Sequence, residues 1–216
     1  MLKKSVFLVF LVVIINGITL AHQPRIISEI TTKVQNPEVS QAFYGELTGE
    51  PAYFEINSDT AFSLYVGVLV PDLPDIKKDI SSVVYKGDKD GTELFTLDGI
   101  NFKWIGFYEE FAGDNYFSGP EHKQEAEPGK YTIRVFSPEN RGKYVLVVGE
   151  KEEFPVNEIV NTVVTLPQIK QDFFGKFFLS AFVNKIGLFI FGPVILIAGV
   201  IIVAIYLWKK FGKRDK

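Results

Sequence analysis

The chain has no cysteine and only two histidines among its 216 residues, and these two shortages remove most of the familiar catalytic chemistries. Without a thiol there is no cysteine nucleophile, no thiolate zinc site, no disulfide and no lipid attachment at a cysteine. His22 and His122 are too far apart in sequence to form a metalloprotease helix, and no serine lies in a Gly-x-Ser-x-Gly elbow. Nothing local recommends a serine–histidine–acid arrangement built on His122. The Asn-x-Ser/Thr acceptor is also missing. An exported domain with neither disulfides nor sequons fits a bacterial or archaeal cell envelope. It must be held together by its core alone, and these absences favour a non-enzymatic role.

What the chain does have is two apolar runs, one near each end. Lys3 and Lys4 precede the uncharged run Val6–Ile15, and Thr19-Leu20-Ala21 supplies small residues at the positions a signal peptidase reads. Residues 1–21 therefore read as a secretory signal peptide cut after Ala21. The second run, Ile186–Trp208, holds no charge over 23 residues. At about 1.5 Å per residue it spans the ~30 Å hydrocarbon core. Tyr206 and Trp208 mark a headgroup layer, and Lys209, Lys210, Lys213, Arg214 and Lys216 follow at once. That basic cluster favours a cytoplasmic C-terminus for residues 209–216. The expected topology is a single-pass cell-membrane protein with its N-terminal domain outside.

Charge separates the middle from the ends. Seven of the 23 Lys+Arg and one of the 26 Asp+Glu lie outside residues 22–185, leaving 16 basic against 25 acidic residues and a net charge of −9. An acidic exported region excludes nucleic acid as a partner and disfavours adhesion to anionic lipid.

Residues 22–154 read as short strands. Phe62, Leu64, Val66, Val68 and Val70 alternate with Ser63, Tyr65, Gly67 and Leu69, a period of two that stops at Pro71. Ala52–Ile56, Ser81–Lys86, Glu93–Leu97 and Phe102–Phe107 are further candidates, and Arg25–Val34 is another. Tyr131, Ile133 and Val135 alternate with Thr132, Arg134 and Phe136. A polar turn then leads into Lys143–Val148, so these two segments are expected to pair as a hairpin. The fold class expected is mainly β: an antiparallel, jelly-roll-like β-sandwich followed by an amphipathic helical linker and one transmembrane helix.

Pro128-Gly129-Lys130-Tyr131-Thr132-Ile133-Arg134-Val135 and Gly142-Lys143-Tyr144-Val145-Leu146-Val147-Val148 together resemble the closing hairpin of bacterial pre-peptidase C-terminal domains, where Gly-x-Tyr opens each strand. The match covers about 25 residues. The resemblance implies a jelly-roll-like sandwich and an accessory role in targeting or binding. It does not imply proteolysis, because the chain carries a membrane anchor and no peptidase.

Residues 155–185 form the membrane-proximal part. Ile159, Val160, Val163 and Leu166 recur at helical spacing with Glu158 near the helix start, and Pro167 ends that helix or begins the next. Phe173, Phe174, Phe177, Phe178, Ala181 and Phe182 then form one apolar face, which predicts a helix lying in the membrane interface.

Three places could carry chemistry. Cleavage after Ala21 would make His22 the first residue, giving an amine and an imidazole that together chelate copper, with His122 as a second imidazole. This is similar to the histidine brace of lytic polysaccharide monooxygenases and of some periplasmic copper proteins, and it makes a copper carrier or oxidative enzyme the alternative function. Asp88-Lys89-Asp90-Gly91 has the oxygen spacing that begins a calcium loop, although it lacks the later bidentate Glu. Finally, Trp104, Tyr108, Glu109, Glu110, Asp114 and Tyr116 fall in the segment Trp104–Phe117, which has six aromatics and three acids. Rings with carboxylates suit a sugar face or a cationic ligand, so this segment is the candidate partner site for an envelope protein or a glycan. The functional expectation is a binding or accessory module of the cell envelope.

Overall fold

The computed structural model describes residues 22–153 and 155–211. The predicted signal peptide and the last residues of the basic tail lie outside them. Eleven strands form two stacked sheets: β1 (Gln23–Ile26), β2 (Thr31–Val34), β3 (Gln41–Thr48), β4 (Ala52–Ser58), β5 (Phe62–Pro71), β6 (Ser81–Lys86), β7 (Thr92–Leu97), β8 (Ile105–Glu109), β9 (Asp114–Ala126), β10 (Gly129–Phe136) and β11 (Arg141–Val148). The order is β1-β3-β11-β5-β9-β8 in the six-stranded sheet and β2-β4-β10-β6-β7 in the five-stranded one. Pairing is antiparallel except where β1 joins β3 and β2 joins β4. The single strand predicted over Arg25–Val34 is thus two, one in each sheet.

The core between the sheets follows the period-two pattern. Phe62, Leu64, Val66, Val68 and Val70 of β5 point inward, facing Tyr131, Ile133 and Val135 of β10 and Phe54 and Ile56 of β4. Phe43 meets Phe54 edge to face at 5.3 Å, one ring from each sheet. Apolar burial of this extent is the main source of stability in a chain without disulfides.

The predicted pairing of the last two strands is not what forms. β10 pairs with β4 and β6, whereas β11 pairs with β3 and β5 in the opposite sheet. Residues 137–140 carry the chain across the sandwich, with Asn140 at φ 48°. Both strands have one apolar face. Such faces are buried equally well across a core as side by side, so alternation alone does not choose the partner.

Two strands escaped the pattern. β9 has no clean alternation and contains Gly119-Pro120, which lie at a bulge where the register with β5 slips between Gly67 and Leu69. A bulge is where a strand tolerates proline. Gly119 is also sterically required, since a Cβ there would sit 2.6 Å from the Trp104 ring. β3 was missed because its alternation is broken: Gln41, Ala42 and Phe43 are all buried.

Helix α1 (Val156–Gln168) follows, with Thr162 and Leu166 buried. Pro167 lies inside its last turn, and the chain continues directly into a π-type turn over Ile169–Phe173. A 3-10 turn spans Phe178–Phe182, and α2 (Lys185–Phe211) is the last described element. The helix predicted to lie in the interface is therefore divided. Gly175, at φ +64°, separates the two turns. Phe173 and Phe174 turn inward onto the outer face of the six-stranded sheet, while Phe177, Phe178 and Leu179 stay exposed. Burial against Tyr44 and Tyr116 outweighs keeping all the rings on one helical face. Helix α2 is 27 residues long, and its apolar stretch is long enough to cross a membrane.

Candidate functional site

The outer face of the six-stranded sheet is a second buried surface. Ala42, Val145, Val147 and Tyr116 form its floor, and Ile169, Phe173 and Phe174 cover it. β11 is consequently buried on both faces, as its unbroken run Tyr144-Val145-Leu146-Val147-Val148 requires.

A turn at one end of this surface, Glu109–Asp114, is gripped by residues 170–185. Asp114 is buried and accepts from two ammonium groups: Lys170 Nζ at 2.5 Å and Lys176 Nζ at 2.8 Å. Lys170 Nζ also donates to the Ala112 carbonyl at 2.6 Å. The side chains of Lys170 and Asp114 are each about 1% exposed, which makes this a fully desolvated ion pair. Burial pulls the Lys170 ammonium below the usual lysine range, and the Asp114 carboxylate works against that shift. Glu109 shapes the turn, accepting from the Phe111 and Ala112 amides at 2.8 and 2.7 Å. Its carboxyl is pushed up by burial, an effect the two amide bonds oppose. Glu110 is exposed and pairs with Lys185 at the head of α2.

Asn184 joins the turn to α2. Its Nδ2 donates to the Ala112 carbonyl at 2.7 Å, and its Oδ1 caps α2 by accepting from the Gly187 amide at 3.0 Å. The Ile186 amide donates to the Phe111 carbonyl at 3.2 Å. Gly187 allows this closeness, because a Cβ there would lie 1.8 Å from the Phe182 carbonyl oxygen.

Beside the turn is a cavity of about 130 Å³. Its lining includes the sheet face (Tyr44, Phe107, Tyr116), α1 (Thr162, Leu166) and the first two turns of α2 (Ile186, Phe189, Ile190), together with His22, Glu109 and the Phe111-Ala112 turn. The Tyr44 and Tyr116 hydroxyls bond each other at 2.9 Å, and burial raises both phenols above the ordinary range.

Of the six residues proposed as a partner site, the structure brings Glu109, Asp114 and Tyr116 into this buried junction. It leaves Tyr108 and Glu110 at the surface. Trp104 instead plugs one end of the sandwich, its Nε1 donating to the Gly99 carbonyl at 2.8 Å. Sequence reasoning missed Lys170, Lys176 and Lys185, the cations that answer these acids. Their signal was a lysine on each side of the Phe173-Phe174 pair.

The two histidines occupy opposite faces of the six-stranded sheet. His22 lies over the outer face near Tyr65, Leu69 and Val147, its Nδ1 bonded to Ser40 Oγ. Burial lowers its pKa. His122 pairs in register with inward-facing Val66, and its ring sits 4.3 Å from Phe95 of the other sheet. The sheet therefore separates the two imidazoles. Asp88 and Asp90 lie in the tight β6–β7 connection, where Lys130 occupies the Asp88 carboxylate and also reaches Glu55 at 3.3 Å. Among the described residues, no three His, Asp or Glu side chains are grouped so as to hold a metal ion.

No family model and no curated protein matches the chain. Among solved structures, it is similar to the pre-peptidase C-terminal domain of a collagenase from Bacillus anthracis, with 14% identity and a TM-score of 0.34 over 60% of this chain and 97% of that one. That domain belongs to the family whose closing strands the sequence resembles. The chain is also similar to CorA, a surface-associated copper-binding protein of Methylomicrobium album BG8, with 9% identity and a TM-score of 0.28 over 59% of this chain and all of that one. Likenesses this distant concern the fold alone and transfer no ligand or activity.

Proposed function

We propose that this protein is a binding or accessory module of the cell envelope, held outside the membrane by α2 and offering its β8 edge to an extended segment of a neighbouring envelope protein. The observation that carries this reading is the state of β8. Among the described residues it ends the six-stranded sheet, pairs only with β9, and exposes Ile105, Phe107 and Tyr108. An unpaired edge with apolar side chains is a template for strand addition, in which main-chain hydrogen bonds supply affinity and side chains supply selectivity. The edge lies beside the head of α2, as the Glu110–Lys185 contact shows. The exposed Phe177, Phe178 and Val183 flank the same helix head, where rings at the headgroup layer steady a membrane protein.

The absence of native cysteine makes the test clean, because any introduced cysteine is unique. In intact cells a membrane-impermeant maleimide is expected to label Lys89→Cys and to leave Lys213→Cys unlabelled until the cells are opened. The reverse pattern would overturn the topology. A photo-crosslinking residue at position 108 is expected to give one discrete adduct, lost when Gly106→Pro blocks the edge. Failure to form any adduct in labelled, folded protein would overturn the edge as a partner site.

A further inference from the structure

The cavity between the sheet, α1 and α2 has features of a ligand site that a packing defect does not need. Its size is close to that of an apolar cavity of about 150 Å³ that accepts benzene, so about six carbons fit inside. Its walls are mostly hydrocarbon and ring, yet Thr162 also lines it. Thr162 is 5% exposed, and its Oγ1 has no hydrogen-bond partner. A buried hydroxyl without a partner costs about 1–3 kcal/mol, and a helical threonine ordinarily avoids this by bonding the carbonyl one turn back. The oxygen has almost no accessible surface as it stands, but it forfeits no hydrogen bond by turning, so a rotation about χ1 can bring it to a molecule in the cavity.

Two observations define what enters. Ile186, Phe189 and Ile190 belong to the first turns of the membrane span, so the cavity is continuous with the surface that lipid chains contact. The titratable side chains at its wall are His22, Glu109, Tyr44 and Tyr116, with no lysine or arginine among them. A phosphate would meet a carboxyl and no cation there, whereas a hydroxyl or ester oxygen can accept from Thr162.

We propose that this cavity binds a neutral, oxygen-bearing lipid from the bilayer, of the acylglycerol or fatty-alcohol class. Its oxygen meets Thr162, its first carbons fill the void, and its chain runs down α2 past Phe189 and Ile190. The inference rests on α2 being a membrane span, as the proposed function holds.

The test uses the full processed chain in phosphatidylcholine nanodiscs, with a diazirine-bearing monoacylglycerol as probe. Adducts mapped by peptide mass spectrometry are expected on α2 and also on residues 159–166 and 107–116. Thr162→Val preserves shape and removes the donor. It is expected to lower the cavity adducts about fivefold, the equivalent of one ordinary hydrogen bond, and to leave α2 adducts unchanged. Leu166→Trp fills the void and is expected to abolish the cavity adducts. Adducts on α2 alone would overturn the lipid site and leave the anchor standing. No adducts on α2 would instead overturn the anchor. Equal labelling of the cavity by a diazirine-bearing phosphatidylcholine would overturn the neutral-headgroup assignment.

Discussion

Between the two sheets the buried side chains are almost all hydrocarbon and rings, as in Leu64, Val66, Ile133 and Leu146, each fully buried. Between the six-stranded sheet and the C-terminal segment the buried set is mixed. It includes Lys170, Asp114, Thr162 and the Tyr44–Tyr116 pair, and it encloses a void. The first interface does what any sandwich needs. The second contains groups whose burial is costly unless each finds its partner, so it binds one particular segment in one particular way. A plain apolar patch would have sufficed to hold a linker against the sheet. The polar groups and the void therefore mark where this sandwich differs from a generic one.

The contrast can be broken experimentally, beginning where the effect is largest. Phe54→Ala removes a ring with no exposed surface from the inter-sheet core, and is expected to cost about 4 kcal/mol in urea unfolding of the detergent-solubilised chain. The whole sandwich should lose stability, with β4 and β10 amides exchanging faster together. Asp114→Ala is expected to cost about 3 kcal/mol, because it strands the Lys170 ammonium in a desolvated site. Its signature should be regional: proteolysis of the 155–184 segment while the sheets remain protected. Replacing both partners, Asp114→Leu with Lys170→Met, should recover most of that loss. If the double variant is as unstable as the single, the pair is not the joint described here.

The smallest effect concerns pH. The folded-state pKa of His22 lies below its ordinary 6.5, so between those two values the unfolded chain binds more protons than the folded one. Stability should therefore fall as pH drops below about 6.5, down to the lowered folded value, with amide exchange at β1 as the local readout. Glu109 has the opposite sign: its raised pKa adds stability as pH falls toward 4.5. His22→Gln should remove the first limb and leave the second. An unchanged pH profile in that variant would show that His22 is solvated.

The inter-sheet core was largely legible in the sequence, and the second interface was not. Period-two alternation locates β5 and β10 and names their inward residues, because burial on one face leaves a local mark. It cannot assign β10 and β11 to opposite sheets, since partner choice is a long-range matter. β9 hides behind Gly119-Pro120, which signal a turn in isolation and form a bulge once β5 is alongside. The acids Glu109, Glu110 and Asp114 stood out as a cluster. Their cations did not, because the pairings of Asp114 with Lys170 and Glu110 with Lys185 bridge 56 and 75 residues. Phe173 and Phe174 were read as membrane-facing, since a helical face looks the same whether lipid or a sheet covers it.

The tight seat of Gly187 over the Phe182 carbonyl has a mechanical meaning. With Asn184 tied to the Ala112 turn on one side and to the first turn of α2 on the other, the domain and α2 are joined without a swivel. A domain on a loose tether samples a hemisphere and captures by reach. With α2 as the anchor proposed above, this one would keep a set height and bearing above the lipid, so its encounters with neighbours in the same membrane would become a two-dimensional search with the orientation already fixed. A rotation of the helix about its own axis would turn the whole sandwich with it, and so change the compass direction in which β8 faces.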